Sequence, residues 1–146
     1  MTYQHTQRGT LMIVAFLLFA VLAVAIVWQS SLWSGAVGLI AVGACGLLFS
    51  SLTVVVTEQE LLWYFGPGFW TYRLSRGEIE TAAVVRNHWS NGFGIRIRPG
   101  FRLYNVSGLD AVELHLKSGD VRRIGTDDPQ GLAAALNLPA SSNAPS

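Results

Sequence analysis

The residues with the clearest capacity for chemistry lie between Thr81 and Leu109. This segment contains arginines and one histidine but no acidic residue, and aromatic side chains are placed between them. A guanidinium group binds phosphate oxygens through paired hydrogen bonds, and each cation near an anionic membrane surface contributes about 1 kcal/mol. The segment therefore predicts an anion or lipid-headgroup site, with four candidate residues: Arg86, Arg96, Arg98 and Arg102.

Two other interpretations of these arginines stay open. They could be the solvated sides of two strands, where charges protect a sheet edge from pairing with another chain. They could also contact a protein partner. In Ile95-Arg96-Ile97-Arg98, the alternation with period two predicts that the isoleucines face the core and the arginines face solvent.

Signatures of catalysis and of metal binding are missing from the sequence. His88 and His115 lack further His, Cys or carboxylate ligands at the spacing of a metal site. Ser75 lies in Leu-Ser-Arg-Gly rather than Gly-x-Ser-x-Gly, and no Gly-Lys-Ser/Thr follows Gly92-Phe93-Gly94. We therefore expect a non-enzymatic protein with no cofactor and no metal, in which His115 is a solvated strand residue.

Charge argues against nucleic acid as a partner. The chain has 10 Lys and Arg and 9 Asp and Glu, and Arg8 alone among them precedes Glu58. The part from Glu58 onward is therefore electrically neutral, whereas nucleic-acid-binding domains carry a basic excess. Any attraction to an anion has to come from a local group of arginines.

The stretch from Gly9 to Thr57 contains no charged residue, and it predicts a membrane anchor for the segment that carries the arginines. It divides into two apolar runs, 11–28 and about 32–52, on either side of Gln29-Ser30-Ser31. A bilayer core requires roughly 20 apolar residues per helix, and backbone groups in lipid must be satisfied within the helix. The sequence thus predicts a transmembrane helical hairpin over 10–56, after an N-terminal tail over 1–9. A cleavable signal peptide, with small residues at Ala23 and Ala25, is the competing interpretation.

Glycines in the second apolar run mark a helix-packing surface. At 100° per residue they fall within about 140° of one another, which allows another helix to approach closely. The neighbour could be the chain's own first helix or a second copy of the chain. The four glycines are Gly35, Gly38, Gly43 and Gly46.

The remaining part, 53–137, has the pattern of a small β domain. Short β-branched and aromatic runs separated by turns predict about seven strands. Asp127 or Asp128 then caps a C-terminal helix that has Pro129 in its first turn. We expect a small antiparallel barrel or sandwich closed by this helix, followed by a disordered tail over 138–146.

Several of these segments resemble the bacterial pleckstrin-homology-like membrane proteins. They are Glu78–Asn87, Gly92–Arg96, Leu103–Gly108, Ala111–Leu114 and Arg123–Pro129. The resemblance implies a strongly bent antiparallel sheet of seven strands plugged by a C-terminal helix, and it implies little about activity.

The helical hairpin and this resemblance together predict a multi-pass protein of the bacterial inner membrane. Arg8 precedes the first helix and the turn is uncharged, so the positive-inside rule predicts that both termini are cytoplasmic. We expect the β domain to bind at the membrane surface, with membrane lipids as partners. The alternative is a membrane-anchored module for protein docking or for homo-oligomeric assembly.

Overall fold

Two apolar helices lead into two β-sheets and a C-terminal helix. The computed structural model describes residues 3–29, 32–91 and 93–138, with the backbone alone for Leu32, Trp33, Ser34 and Asn91. The predicted turn at Ser30-Ser31 and most of the predicted disordered tail (139–146) lie outside the described residues, as does Gly92 of the predicted Asn91-Gly92 turn.

The two apolar runs both form helices, α1 (Thr10–Val27) and α2 (Leu32–Leu48). Within the described ranges, α1 is the one helix long and apolar enough to cross a bilayer, and none of its residues is buried. The apolar run expected to continue to residue 52 leaves the helix earlier. Ser50 Oγ donates to the Leu47 carbonyl at 2.8 Å, and the β-branched residues that follow favour a strand.

Sheet A contains four antiparallel strands in the order β1-β2-β3-β4. Their bounds are β1 (Tyr3–Arg8), β2 (Ser51–Val56), β3 (Glu60–Phe65) and β4 (Thr71–Ser75). The sequence reading placed residues 1–9 in a tail, yet 3–8 form strand β1. This strand is polar, and no apolar alternation marks it in the sequence. It forms because the edge of β2 supplies partners for its backbone hydrogen bonds.

The helical hairpin is joined to sheet A without a linker. Gly9 alone separates β1 from α1, and Phe49 and Ser50 alone separate α2 from β2. The Gly9 amide donates to the Ser50 carbonyl at 2.7 Å, and Arg8 pairs with Ser51 in the β1–β2 ladder. The two helices thus leave the sheet through adjacent, hydrogen-bonded strands.

Sheet B contains five strands in the order β5-β8-β9-β7-β6. All neighbours are antiparallel except β7 and β9, which run parallel. The strands are β5 (Ile79–Arg86), β6 (Gly94–Arg98), β7 (Phe101–Asn105), β8 (Asp110–Leu116) and β9 (Val121–Gly125). The described residues therefore form nine strands in two sheets and no closed barrel, where the sequence predicted about seven strands.

One core joins both sheets and the last helix, α3 (Pro129–Leu136). Trp63 of sheet A and Tyr104 of sheet B are both almost fully buried, with ring centroids 5.1 Å apart. Leu132 and Leu136 of α3 complete this core. The prediction of a capped C-terminal helix is confirmed, because the Asp128 side chain accepts a hydrogen bond from the Gly131 amide at 3.0 Å.

Candidate anion-binding groove

A groove at one end of sheet B has a volume of about 400 Å³. It lies where the turn between β6 and β7 approaches the start of β9. Three arginines and a single carboxylate line it, together with apolar and backbone atoms. The charged residues of this arginine groove are Arg98, Arg102, Arg122 and Asp120.

The register of three strands brings the arginines together. Pro99 and Gly100 form the tight turn from β6 to β7, so Ile97 pairs with Arg102 across that hairpin. The parallel ladder between β7 and β9 then places Arg102 beside Arg122. Ile97, Arg102 and Arg122 form one row on the same face of the sheet, since directly paired residues share a face. Twenty residues of sequence separate the two arginines, but they are neighbours in space.

Arg122 carries the least satisfied polar group in this groove. Its side chain is half-buried, and its Nε atom is buried without a hydrogen-bond partner among the described residues. A buried donor without an acceptor costs about 1–3 kcal/mol. Like charges on paired strand positions add repulsion between Arg122 and Arg102. An anion bound between the two guanidinium groups would relieve the repulsion.

Arg102 lies close to the aromatic residues at the edge of the core. Burial and the neighbouring Tyr104 raise the pKa of the Tyr72 hydroxyl, and the positive charge of Arg102 partly opposes that shift. Within the described part of the chain, neither Arg98 nor Arg102 forms an ion pair within 4.0 Å. Both side chains are exposed, so their guanidinium groups can donate hydrogen bonds to an anionic ligand.

The predicted arginines do not form one site. Arg98 and Arg102 line the groove, Arg98 from the last position of β6. Arg96 is exposed on the face of β6 opposite to Arg102 and does not line it. Arg86 lies on β5, the far edge strand of the same sheet, opposite Asp110 in the β5–β8 ladder. The sequence reading missed Arg122, because its place beside Arg102 depends on the parallel pairing of β7 with β9.

The prediction that Ile95 and Ile97 face the core is wrong for Ile97. Its side chain is 68% exposed, and that of Ile95 is 36% exposed. The alternation along β6 is real, but β6 is the edge strand of sheet B. Ile97 therefore lies beyond the area that the core residues cover, and it lines the arginine groove instead.

The opposite face of sheet B has a polar network that the sequence reading did not find. Glu113 is on the same strand face as His115, which was predicted to be solvated, but it is only 7% exposed. It accepts a hydrogen bond from Arg123 Nε, and it pairs with His115 Nε2 at 2.9 Å. Arg123 also donates to Asn87 at 3.1 Å and lies over the Phe101 ring. His115 is therefore not simply solvated, and Glu113 is compensated by two partners. The sequence feature that could have indicated this network is the hairpin turn at 118–120, which places Glu113 opposite Arg123 in the β8–β9 ladder.

The glycines of α2 divide into two pairs. A Cβ atom at Gly35 would overlap the Val27 side chain of α1, and one at Gly46 would lie 3.3 Å from Phe16 Cβ. Nothing lies within 4 Å of such an atom at Gly38 or Gly43. Close packing of α2 on α1 thus depends on Gly35 and Gly46, whereas a side chain at Gly38 or Gly43 would enter open space.

Comparison with family models, with curated proteins and with solved structures finds no match to this chain. The resemblance to pleckstrin-homology-like proteins stays a prediction. Within the described ranges, no three His, Cys, Asp or Glu side chains form a group that could hold a metal ion. The arginine groove is therefore the feature on which a functional argument rests.

Proposed function

We propose that this chain is a non-enzymatic membrane protein whose β domain binds a phosphate-bearing lipid headgroup in the arginine groove. The pairing of Arg102 with Arg122 at the groove carries this proposal. A guanidinium pair offers several donors in fixed planes, which suits the oxygens of a phosphate. The domain is of the pleckstrin-homology-like kind in this proposal, in line with the resemblance of its sequence.

The helical hairpin is the proposed membrane anchor. Support comes from α1, which is 18 residues long, apolar throughout and without a buried residue. At about 1.5 Å per residue, its length is near 27 Å and matches a bilayer core. α2 is also uncharged, is 17 residues long and packs against α1, so both would cross together as a multi-pass anchor.

The orientation follows from the positive-inside rule. Arg8 lies immediately before the first helix, so both termini and the β domain are assigned to the cytoplasmic side of a bacterial inner membrane. A cysteine introduced at Ser118 should then resist an impermeant thiol reagent added to intact cells. Labelling of Ser118→Cys from outside would instead place the β domain on the outer side of the membrane.

Ligand-induced stabilisation of the full chain tests the groove. In neutral detergent, short-chain phosphatidylglycerol should raise the unfolding temperature, because a ligand at 100 times its dissociation constant adds about 2.7 kcal/mol. The Arg102→Gln/Arg122→Gln variant should lose this gain. Its stability without lipid should be equal or higher, since the repulsion between the two arginines is gone. Arg86→Gln is the matched control, because it removes the same kind of charge from the far edge of the same sheet.

The outcomes separate the ligand sources and the competing explanations. Stabilisation by inorganic phosphate as strong as by the lipid would assign the groove to a free anion rather than to a headgroup. A purely structural role for the arginines predicts that the double variant is less stable without any ligand. Equal lipid responses in the double variant and in Arg86→Gln would contradict a specific groove.

An assembly function is the second candidate, and one observation favours it. β6 is an edge strand, and Ile97 on it is largely exposed, so a strand from a partner or a second copy could extend sheet B. Backbone pairing of this kind is less sensitive to ionic strength than headgroup binding. Self-association that persists in high salt would support this alternative.

A further inference from the structure

The turn between β3 and β4, residues 66–70, lies directly against the end of α2. The Gly66 amide donates to the Ser51 carbonyl at 2.9 Å. A Cβ atom at Gly66 would lie 2.5 Å from the Leu47 carbonyl oxygen and 2.7 Å from that of Leu48. This aromatic turn, Gly66-Pro67-Gly68-Phe69-Trp70, is therefore fixed at the level where α2 ends.

Two adjacent aromatic side chains of this turn are exposed. Phe69 is 73% and Trp70 is 68% exposed, and no residue of the aromatic turn is charged. With this exposure, neither side chain is packed into the core of the β domain. Indole rings in membrane proteins concentrate at the level of the headgroups.

The apolar surface of the aromatic turn continues into the helix. Trp70 lines a cleft of about 30 Å³ together with Leu48 and Phe49 at the end of α2 and with Ile95 of β6. With α2 in the bilayer, as the proposed anchor has it, the lipid-facing surface of α2 is continuous with the surface of the turn. This continuity identifies the occupant as lipid of the leaflet in which α2 ends.

We propose that Phe69 and Trp70 insert into the interfacial layer of that leaflet and attach the β domain to the membrane at a third point. The two helices supply the other two points. This inference rests on the membrane anchor of the proposed function, but it does not depend on the arginine groove. Its consequence is a fixed orientation of sheet A relative to the bilayer, since β3 ends and β4 begins at this turn.

Site-specific fluorescence in liposomes tests the insertion. In a full-length Cys45→Ser background, single cysteines replace Phe69, Gln59 and Leu18 and carry an environment-sensitive fluorophore. Gln59 is the matched control, because it lies exposed in the turn at the opposite end of β3. Strand β3 has six residues, which separates the two turns by roughly 20 Å. Leu18 of α1 reports on the anchor itself.

We expect the probe at position 69 to emit at shorter wavelength and to be quenched by lipids with a spin label near the headgroup. The probe at position 59 should respond to neither, and the probe at position 18 should respond best to a spin label deep in the acyl chain. If the probes at positions 69 and 59 show the same emission and quenching while the probe at position 18 is quenched, the insertion of Phe69 and Trp70 is wrong, but α1 still crosses the membrane. If position 18 is also unquenched, the anchor and the insertion are both wrong. Arg102→Gln/Arg122→Gln should leave all three signals unchanged.

Discussion

The contact between Gly66 and the end of α2 makes a quantitative prediction for Gly66→Ala. Gly66 has φ +50°, a backbone conformation that costs an alanine about 1 kcal/mol. The new methyl group would also lie 2.5 Å from a backbone carbonyl oxygen of α2, which cannot rotate away. Overpacking of this kind costs about 1–3 kcal/mol. The expected loss in the free energy of unfolding is therefore about 2–4 kcal/mol.

Gly119→Ala isolates the conformational part of this cost. Gly119 has φ +92°, and nothing lies within 4 Å of a Cβ atom built there. It lies in the hairpin turn between β8 and β9. Its replacement should cost about 1 kcal/mol, because the strain is of the same kind and the collision is missing.

Thermal unfolding of the full chain in mild detergent measures the difference. Near-ultraviolet circular dichroism follows the packing of the buried Trp63 against Tyr104. For a chain of this size, about 1 kcal/mol shifts the midpoint by roughly 2–4 °C. We expect a decrease of roughly 5–15 °C for Gly66→Ala and a few degrees for Gly119→Ala. Equal shifts would mean that the turn does not touch α2, and the basis for membrane insertion of Phe69 and Trp70 would be lost.

Two further predictions concern the helical hairpin and the N-terminal strand. Gly46→Leu should destabilise the monomer by about 1–3 kcal/mol, because it collides with Phe16, whereas Gly38→Leu should leave thermal stability nearly unchanged. Loss of a dimer on cross-linking of Gly38→Leu would place that open glycine in a contact between copies. The Tyr3 hydroxyl at 2.9 Å and the Gly131 amide lower the pKa of Asp128, so this carboxylate stabilises the fold above the usual pKa of aspartate, about 4, and less as pH falls below it. Tyr3→Phe should therefore lose less stability than wild type between pH 5 and pH 3, and parallel profiles would contradict this coupling.

The sequence predicted the elements that depend on local patterns. An uncharged run of helical length, turn residues between β-branched runs, and Asp128 before Pro129 each specify structure within a few residues. Strand β1 was not predicted, because it depends on pairing with a distant part of the chain rather than on a local pattern. Its residues have no strand pattern of their own, and the strand exists because the helical hairpin returns the chain to β2 at Ser51.

The position of β1 also changes how the β domain should be studied. β2 lies between β1 and β3, and it contributes Leu52, Val54 and Val56 to the core. A fragment that begins at Glu58 lacks both β1 and β2, so half of the strands of sheet A are missing. The helical hairpin is therefore inserted between two adjacent strands of sheet A, and experiments on binding require the full chain.

The arginine groove could be predicted only in part, because sequence order and spatial order differ in sheet B. Arg96, Arg98 and Arg102 attract attention as a cluster in the sequence, but a strand of alternating residues divides its side chains between two faces. The partner that matters for Arg102 is Arg122, which the parallel ladder supplies from β9. A neutral domain can hold two cations side by side in this way only at a local cost in repulsion and in an unsatisfied donor. In the proposed function a bound anion offsets the repulsion, so the affinity should depend on these two residues and on ionic strength far more than on the net charge of the chain.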